Sequence, residues 1–503
     1  MTFTKSPEYN THTLKRVPVA LDNKYDPEGY FFYPAFTNLF PTIENKEVVL
    51  TKRAPINVVE AFSGTEPRGM AFDPNTNYLY VVYDNNLKVY TSTNAFSLAS
   101  TTTSGAFTTT QGSVAFTTYR VGIYVQLIAF EPKGTEAKVH YWDSGNAAGP
   151  SGTVTIPVAN MARTITSMDG YIFTAGGDGE SGQRIYNSTI GSPATWNIST
   201  DFVDAEMEGD VIYALAKHRN HIVAFGKETI EFFYNAANEN GSPLTRQAAY
   251  SQKMGITAYA ASGPLLQQVE DDLYFVGGQA GSPTGVFKIS NFKIEKVSDL
   301  FVDSVLRSNN SLDGRIGVYE HQGTPCVALF FSGIAGALVY KEDTKAWIHV
   351  TKSGVFDYSV FGTYSNEGGV YILGHDAGVI TLYKSGTRGA GALTQAPSEV
   401  IVASYITDNI DFDSNNQKHI KWVDVCGWFG NNSVSLFYSN SLQNNPSPYI
   451  SCGAKYQNSI TSKNPLRWRN LGRTRGQKYS VYFSGTNDIK YKGLEIAVNQ
   501  GTY

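Results

Sequence analysis

The stretch His221–Tyr234, HIVAFGKETIEFFY, contains an apolar segment, a short polar turn and a second segment that ends in tyrosine. It predicts a hairpin, because the turn separates two segments that are rich in β-branched and aromatic residues. The first segment carries few charges, which is typical of an inner strand covered on both faces. The same arrangement recurs from about residue 60 to residue 392.

Seven apolar first segments begin 43 to 54 residues apart: Tyr78–Tyr83, Tyr124–Phe130, Gly170–Ala175, His221–Gly226, Asp272–Gly277, Cys326–Phe331 and Gly369–Gly374. Their partner segments end at Tyr90, Tyr141, Tyr186, Tyr234, Ile289, Tyr340 and Tyr383. A repeat of roughly 40–50 residues with several strands in each unit is typical of a β-propeller blade. We count seven units and expect six to eight blades, with Glu47–Leu50 or Ile56–Phe62 as a closing strand.

The composition of the 503 residues also indicates an all-β protein, since Gly (47), Tyr (32) and Phe (28) are abundant. Charged residues make up 17%, against about 25% in an ordinary soluble domain. The net charge of −4 excludes a strongly basic nucleic-acid binder, and the mixture excludes a coiled coil or a disordered chain.

The cysteines, Cys326, Cys426 and Cys452, are too few and too far apart for a disulfide framework. They predict free thiols in a reducing compartment. Met1–Glu8 lacks the apolar stretch of a signal peptide, and no segment approaches the roughly 18 apolar residues of a membrane span. We therefore expect no membrane span and assembly in a cytosol.

We predict three regions: an extended N-terminal arm at 1–60, a β-propeller-like repeat domain at 61–392 and a C-terminal β-sandwich-like module at 393–503. The arm carries six of the 20 prolines, which disfavour pairing in a sheet. It also carries aromatic residues that we expect to contact a neighbouring protein: Tyr30, Phe31, Phe32, Tyr33, Phe36 and Phe40. Helices should be few, and Gln247–Ala261 is the segment where we expect one.

The sequence contains no motif of a nucleophile elbow, a phosphate loop or a metal site, so we predict neither an enzyme nor a cofactor. His218 and His221 are three residues apart, but on a strand that spacing directs side chains to opposite faces. Acidic pairs such as Asp178 and Glu180 lie in predicted turns, where solvated surface residues are the ordinary interpretation.

One cluster of basic residues lies near the C-terminus, interleaved with a tryptophan: Arg467, Trp468, Arg469, Arg473, Arg475 and Lys478. Arg467 and Arg469 should share one face of a strand, with Trp468 on the other. The cluster is either a solvated strand and loop, or a docking surface for an acidic protein or for phosphate.

Six segments have a characteristic order along the chain: FTNLFPTIENKEVVLTKRAP at 36–55, GSPATW at 191–196, the hairpin at 221–234, YSQKMGI at 250–256, RWRNLG at 467–472 and the strand at 479–483. In this order they resemble segments of the packaged-DNA stabilisation and tail nozzle proteins of short-tailed phages. Phe40 stands where that family usually has tyrosine, and Thr42 follows Pro41 where glutamate is usual.

The resemblance implies a non-enzymatic part of a virion, assembled in the cytoplasm of the host bacterium. It implies a ring, typically a homo-hexamer, below the portal and adaptor proteins. Such a ring would extend the DNA channel, retain the packaged genome without sequence-specific binding, and anchor tail fibres, spikes or a needle.

A second class of function is compatible with a propeller. A carbohydrate-binding or glycan-hydrolysing β-propeller, such as a receptor-binding tail component, would need a convergent pair of carboxylates and exposed aromatic residues at the propeller centre. The sequence does not reveal such a pair.

Overall fold

The computed structural model of the chain consists mostly of short antiparallel strands. It describes residues 13–21, 24–25, 32–73, 76, 78–92, 98–121, 124–142, 149–205, 207, 209–259, 263–308, 314–331, 336–352, 361–364, 370–376, 379–385, 399–407, 410, 418–439, 450–457, 464–469, 471–474 and 476–500. Tyr30, Phe31, Arg475 and the predicted boundary at 392–393 lie outside these residues, as do the side chains of Phe32 and Tyr33.

The strands in the first half of the chain are β1 (Thr13–Val17), β2 (Lys24–Tyr25), β3 (Phe32–Tyr33), β4 (Phe36–Thr37), β5 (Leu39–Glu44), β6 (Glu47–Lys52), β7 (Ile56–Phe62), β8 (Pro67–Asp73), β9 (Tyr78–Tyr83), β10 (Asn86–Ser92), β11 (Leu98–Thr103), β12 (Ala115–Val121), β13 (Tyr124–Pro132), β14 (Ala137–Trp142), β15 (Gly152–Ile156), β16 (Thr166–Met168), β17 (Tyr171–Ala175), β18 (Arg184–Asn187), β19 (Phe202–Asp204), β20 (Ile212–His218), β21 (His221–Gly226), β22 (Ile230–Asn235) and β23 (Leu244–Arg246).

Those in the second half are β24 (Gly255–Ile256), β25 (Ala258–Tyr259), β26 (Gly263–Pro264), β27 (Leu266–Val269), β28 (Asp272–Gly278), β29 (Gly285–Ser290), β30 (Lys293–Lys296), β31 (Gly314–His321), β32 (Thr324–Phe331), β33 (Ala337–Lys341), β34 (Ala346–Val350), β35 (Phe361–Tyr364), β36 (Val370–Asp376), β37 (Val379–Ser385), β38 (Ile401–Ile406), β39 (Lys418–Trp428), β40 (Ser433–Ser439), β41 (Ile450–Lys455), β42 (Leu466–Arg469), β43 (Arg473–Thr474), β44 (Lys478–Gly485) and β45 (Lys490–Gln500). Short 3-10 turns occupy Gly179–Gln183, Ala248–Tyr250 and Gln279–Gly281, and α1 spans Leu300–Ser308.

The chain forms two compact units. Unit 1 comprises Met1–Pro55, Tyr340–Ser353 and Ala396–Tyr503, and unit 2 comprises Ile56–Val339 and Gly354–Gln395. This grouping differs from the three predicted regions, because the N-terminal residues share a unit with the C-terminal ones. The three-region division itself stays a prediction.

Unit 2 is built from small antiparallel sheets that follow one another along the chain. Their strand orders are β8-β9-β10-β11, β12-β13-β14-β15, β16-β17-β18-β19, β20-β21-β22-β23, β27-β28-β29-β30 with β24 also on β28, β31-β32-β33, and β35-β36-β37-β7. Each predicted apolar segment is the second strand of its sheet. Tight turns such as Asp169–Gly170, with φ of 51° and 80°, join neighbouring strands, as type I′ hairpins require.

The first strands of successive sheets contact one another and return to the start. The contacts are, in order, between β8 and β12, β12 and β16, β16 and β20, β27 and β31, β31 and β35, and finally β35 and β8. Strand β20 also contacts β28 of the next sheet, and β26 of a separate two-stranded sheet that β25 and β26 form. The arrangement is a β-propeller. The number of blades, six to eight, remains a prediction from the sequence.

The hydrophobic core of unit 2 lies between neighbouring sheets. Tyr80 and Val82 of one sheet pack with Leu127 and Trp142 of the next, and similar clusters follow at the next three junctions. The second, third and fourth sheets are therefore apolar on both faces, which explains their nearly continuous apolar segments in the sequence.

The last sheet is completed by a strand from the start of unit 2. Phe62 of β7 pairs with Ile380 of β37, and Ile56 pairs with Ser385. Of the two predicted closing strands, Ile56–Phe62 therefore fills that position, whereas Glu47–Leu50 belongs to unit 1. A strand from early in the chain thus completes a sheet formed late in it.

Unit 1 contains two sheets with an aromatic core. One has the order β42-β39-β45-β6-β5, with β1 on β45 and β43 on β39. The other includes β34-β4-β38-β44-β40-β41. Tyr405 and Phe483 of the second sheet contact Tyr491 of the first, each at 5.6 Å between ring centroids. Two sheets packed through such side chains form a sandwich, as predicted for the C-terminal module.

The structure corrects the predicted N-terminal arm over residues 36–52. This segment forms β4, β5 and β6 within unit 1, and Phe36 and Phe40 are fully buried there. Pro41 is accommodated because β5 lies at the edge of its sheet. The two rings therefore contact residues of this chain, not a neighbouring protein.

The expected helix at Gln247–Ala261 is also wrong. That segment holds a 3-10 turn and two-residue strands, and the α-helix lies at Leu300–Ser308 instead. Asp299 begins this helix, since its carboxylate accepts a hydrogen bond from Val302 N at 2.9 Å.

Candidate functional site

The basic cluster begins on β42, an edge strand of unit 1. Trp468 is buried, and its indole Nε1 donates to Gly453 O at 3.2 Å. Arg467 and Arg469 lie on the opposite face, as strand alternation requires, and Arg469 is exposed.

Arg467 is paired within the chain. Its Nε and Nη2 donate to the two carboxylate oxygens of Asp424 at 2.8 and 2.7 Å, and its guanidinium lies 3.9 Å from the ring centroid of Trp422. Hydrogen bonding to Asp424 raises the pKa of Arg467. The Asp424 side chain is 2% exposed, so this pair joins β42 to β39.

The rest of the cluster is dispersed. Arg473 is exposed on β43, beside His419 of β39. Lys478 is half-buried at the start of β44, which belongs to the other sheet of unit 1. The structure therefore leaves Arg469 and Arg473 as exposed cations that share β39 as their neighbour, while Arg475 lies outside the described residues.

A cavity of about 320 Å³ lies at the centre of unit 2. Its walls come from β12, β20, β27 and β31 and from the residues that precede β16, so it is lined by the innermost strands of the propeller. Arg163, Lys217 and Arg315 line it, and no carboxylate does so among the described residues. It therefore lacks the paired carboxylates of a glycosidase site.

A buried ion pair lies between the first two sheets of the propeller. Arg68 and Glu131 are both fully buried, with Arg68 Nη2 3.6 Å from Glu131 Oε1. Arg68 also donates to the carbonyls of Gly112, Asp84 and Thr109 at 2.6–2.7 Å. Desolvation lowers the pKa of Arg68, although Glu131 opposes that shift.

The Glu131 carboxylate is surrounded by donors. It accepts from the backbone N–H of Thr108 at 3.1 Å and of Thr109 at 2.6 Å, from both hydroxyls, and lies 3.3 Å from His140 Nε2. Burial alone would raise the pKa of Glu131, but these hydrogen bonds lower it well below its usual range. The group is held as a carboxylate and ties the loop before β12 to two sheets.

The paired histidines have structural surroundings. The expectation that His218 and His221 point to opposite faces is wrong, because the two residues lie on different strands and pair directly across the β20–β21 turn. Burial lowers the pKa of both. His218 Nδ1 lies 2.9 Å from Asp271 O. Among the residues that the structure describes, no group of three or more potential metal ligands is found. None of the described helices is long and apolar enough to cross a membrane.

A family model described as bacteriophage P22 Gp10, beta-propeller, matches residues 19–321. The chain belongs to this family. The resemblance to phage stabilisation proteins inferred from the sequence is thereby confirmed, and so is the propeller fold. The match covers β4 to β6 of unit 1 together with most of the propeller.

Solved structures show only a weak similarity to this chain. The β-propeller domain of Cps50 (Swd1) from Myceliophteria thermophila has 13% identity and a TM-score of 0.44, covering 66% of this chain and all of that one. An extracellular domain of a hybrid two-component system from B. thetaiotaomicron has 11% identity and a TM-score of 0.40, covering 73% of this chain and 42% of that one. No curated protein matches this chain.

Two residues that sequence reasoning missed organise unit 1 of this phage family member. Asn38, at a φ of 56°, donates to Val402 O and Thr351 Oγ1 and accepts from Arg53 Nε and Thr351 N at 2.8–3.0 Å. Arg53 also forms a bidentate pair with Glu399. Both residues lie in the segment 36–55, whose resemblance to the phage family was the feature of the sequence that could have identified them.

We expect mutations in the basic cluster to have two different effects, one on stability and one on binding. Arg467→Ser should lower the free energy of unfolding by about 1–3 kcal/mol, because Asp424 would lose its partner while buried. Arg469→Ser with Arg473→Ser should change stability by less than about 1 kcal/mol, since both side chains are exposed.

Urea denaturation measures the first effect, and binding of the double variant to portal–adaptor complex measures the second. If the exposed pair docks an acidic surface, the double variant loses that association at low salt. Unchanged binding would assign Arg469 and Arg473 to solvated surface. A stable Arg467→Ser protein would contradict the structural role of the Asp424 pair.

Proposed function

We propose that this protein is a structural component of a short phage tail, forming a ring below the portal and adaptor proteins. The ring would extend the DNA channel, retain the packaged genome and anchor tail fibres, spikes or a needle. The observation that carries the proposal is the match of residues 19–321 to the phage P22 Gp10 propeller family.

The architecture of the propeller supports a passive, load-bearing role. Its apolar clusters lie between successive sheets, and a buried Arg68–Glu131 pair joins two of them. The central cavity lacks a carboxylate among its described lining residues, so a glycan-hydrolysing role has no geometric support there. A ring component needs a rigid module of this kind more than it needs a reactive centre.

The outward face of one sheet in unit 1 supports contact with other proteins. Val402 is 50% exposed and Tyr482 is 37% exposed, on the paired strands β38 and β44. Phe437 of β40 lies next to Tyr482, with ring centroids 5.1 Å apart. Aromatic and aliphatic side chains on an exposed sheet face are typical of subunit interfaces. We assign this face to contact between copies in the ring.

The test is the mass and shape of the purified full-length protein, alone and with portal–adaptor complex, by light scattering and negative-stain microscopy. We expect rings with a central channel, free or on the complex. Tyr482→Asp should prevent ring formation, whereas Val211→Asp, at an exposed position of the propeller (44% exposed), should not. A wild-type protein that stays monomeric and ignores the complex would overturn the proposal.

A further inference from the structure

We propose that the cavity at the centre of the propeller binds a phosphate group, either as inorganic phosphate or as the monoester of a mononucleotide. Arg163, Lys217 and Arg315 come from three different parts of the chain and line the same cavity of about 320 Å³. Their convergence at the propeller centre carries the inference. It does not depend on the virion role proposed above.

Arg163 is fixed in position by two glycines. A Cβ atom on Gly112 would lie 2.3–2.5 Å from the guanidinium of Arg163, and one on Gly263 would lie 3.3 Å from its Cβ. Both glycines adopt positive φ, 79° and 78°. The Arg163 side chain therefore occupies the space that other residues at these positions would fill. Its Nη1 donates to Ser113 O at 3.0 Å, which further fixes its orientation.

The charge around the cavity favours an anion. Behind the lining residues, Glu66 lies 3.9 Å from Arg315 and Glu131 lies 3.6 Å from Arg68. Three cationic side chains, those of Arg163, Lys217 and Arg315, line the cavity itself, and no carboxylate does so among the described residues. Desolvation by burial lowers the pKa of Arg163. A bound dianion would compensate that lost hydration.

The size and the remaining walls fit a phosphate ester. About 320 Å³ lies at the lower end of the range for small-molecule sites, which begins at about 300 Å³. Thr117 and Thr166 are also lining residues that carry hydroxyl groups. Gln267 and Gln268 line the cavity too, but their Nε2 groups donate to the carbonyls of Gln268 and Glu270. Guanidinium groups in a fixed position match phosphate geometry by donating two parallel hydrogen bonds. The cavity therefore combines fixed charge, neutral donors and adequate space.

The experiment is isothermal titration of the full-length protein with sodium phosphate and, separately, with adenosine monophosphate, each against sodium chloride at matched ionic strength. We expect saturable binding at one site. Lys217→Met should weaken it about tenfold, because one charge-assisted contact is lost while the exposed position leaves folding intact. Lys293→Met, at an exposed position on β30 outside the cavity, should bind as the wild type does.

Arg163→Lys adds a second measure, since it keeps the charge and removes the fork of donors. We expect weaker binding with this variant, and unchanged affinity would overturn the assigned role of Arg163 and the proposal with it. Tighter binding of adenosine monophosphate than of phosphate identifies a mononucleotide ligand, and equal affinity identifies inorganic phosphate. Absence of saturable binding, or equal loss with Lys217→Met and Lys293→Met, would refute the site.

Discussion

Glu131→Ala should lower the free energy of unfolding by about 3–5 kcal/mol, the usual cost of removing one partner of a buried ion pair. The substitution leaves the fully buried guanidinium of Arg68 without its carboxylate. It also removes the acceptor for the N–H groups of Thr108 and Thr109. Urea denaturation followed by tryptophan fluorescence measures the loss, and Trp142 of the adjacent apolar cluster is one of the six tryptophans that report it.

Glu136→Ala is the matched control. Glu136 pairs with Lys133 at 3.7 Å near the same hairpin, but both side chains are partly exposed. Exposed pairs contribute about 0–1 kcal/mol. Equal effects of the two substitutions would mean that the buried carboxylate does not hold the first two sheets together.

Phe62→Ala should destabilise the propeller by about 3–5 kcal/mol, as expected for truncation of a buried phenylalanine. Phe62 is 5% exposed on the closing strand β7 and stacks on Tyr83 of the first sheet at 4.9 Å between centroids. The same cluster contains Ile380 and Leu382 of the last sheet. The lost ring therefore opens the junction between the last sheet and the first.

Val58→Ala on the same strand provides the comparison, because Val58 is exposed. Its effect should stay within about 0.5 kcal/mol. Thermal or urea unfolding gives the free energy of unfolding of both variants. A small effect of Phe62→Ala would show that other contacts hold the junction between the last sheet and the first.

The repeated hairpins could be predicted because they are encoded locally. In Tyr78–Tyr83 and His221–Gly226, apolar residues on both faces identify strands covered on both sides, wherever the neighbouring sheets come from. The C-terminal module at 393–503 was predicted as β-sandwich-like, and its long strand Lys418–Trp428 shows partial alternation of buried and exposed residues. The closing strand Ile56–Phe62 remained one of two candidates, because composition does not specify a distant partner.

Long-range pairing limits what the sequence reveals. Phe36 and Phe40 are buried in sheets that include β38 and β45, from the far end of the chain. The local proline content predicted an extended arm because it carries no information about these distant strands. The ion pair of Arg467 with Asp424 also depends on long-range pairing. The register between β39 and β42 places the two residues opposite each other, and the sequence alone does not reveal that register. The cavity cations Arg163, Lys217 and Arg315 are isolated in sequence and meet through the circular order of the sheets.

The pairing of Phe62 with Ile380 also constrains when the last sheet can form during translation. A ribosome that adds about 5–20 residues per second releases the closing strand roughly 15–60 s before its partner strand exists. Through that interval β7 presents an unpaired edge and its phenylalanine to the crowded cell. Closure therefore cannot begin before Val379–Ser385 has been synthesised, and nascent chains interrupted before that segment would be the species that chaperones and proteases meet.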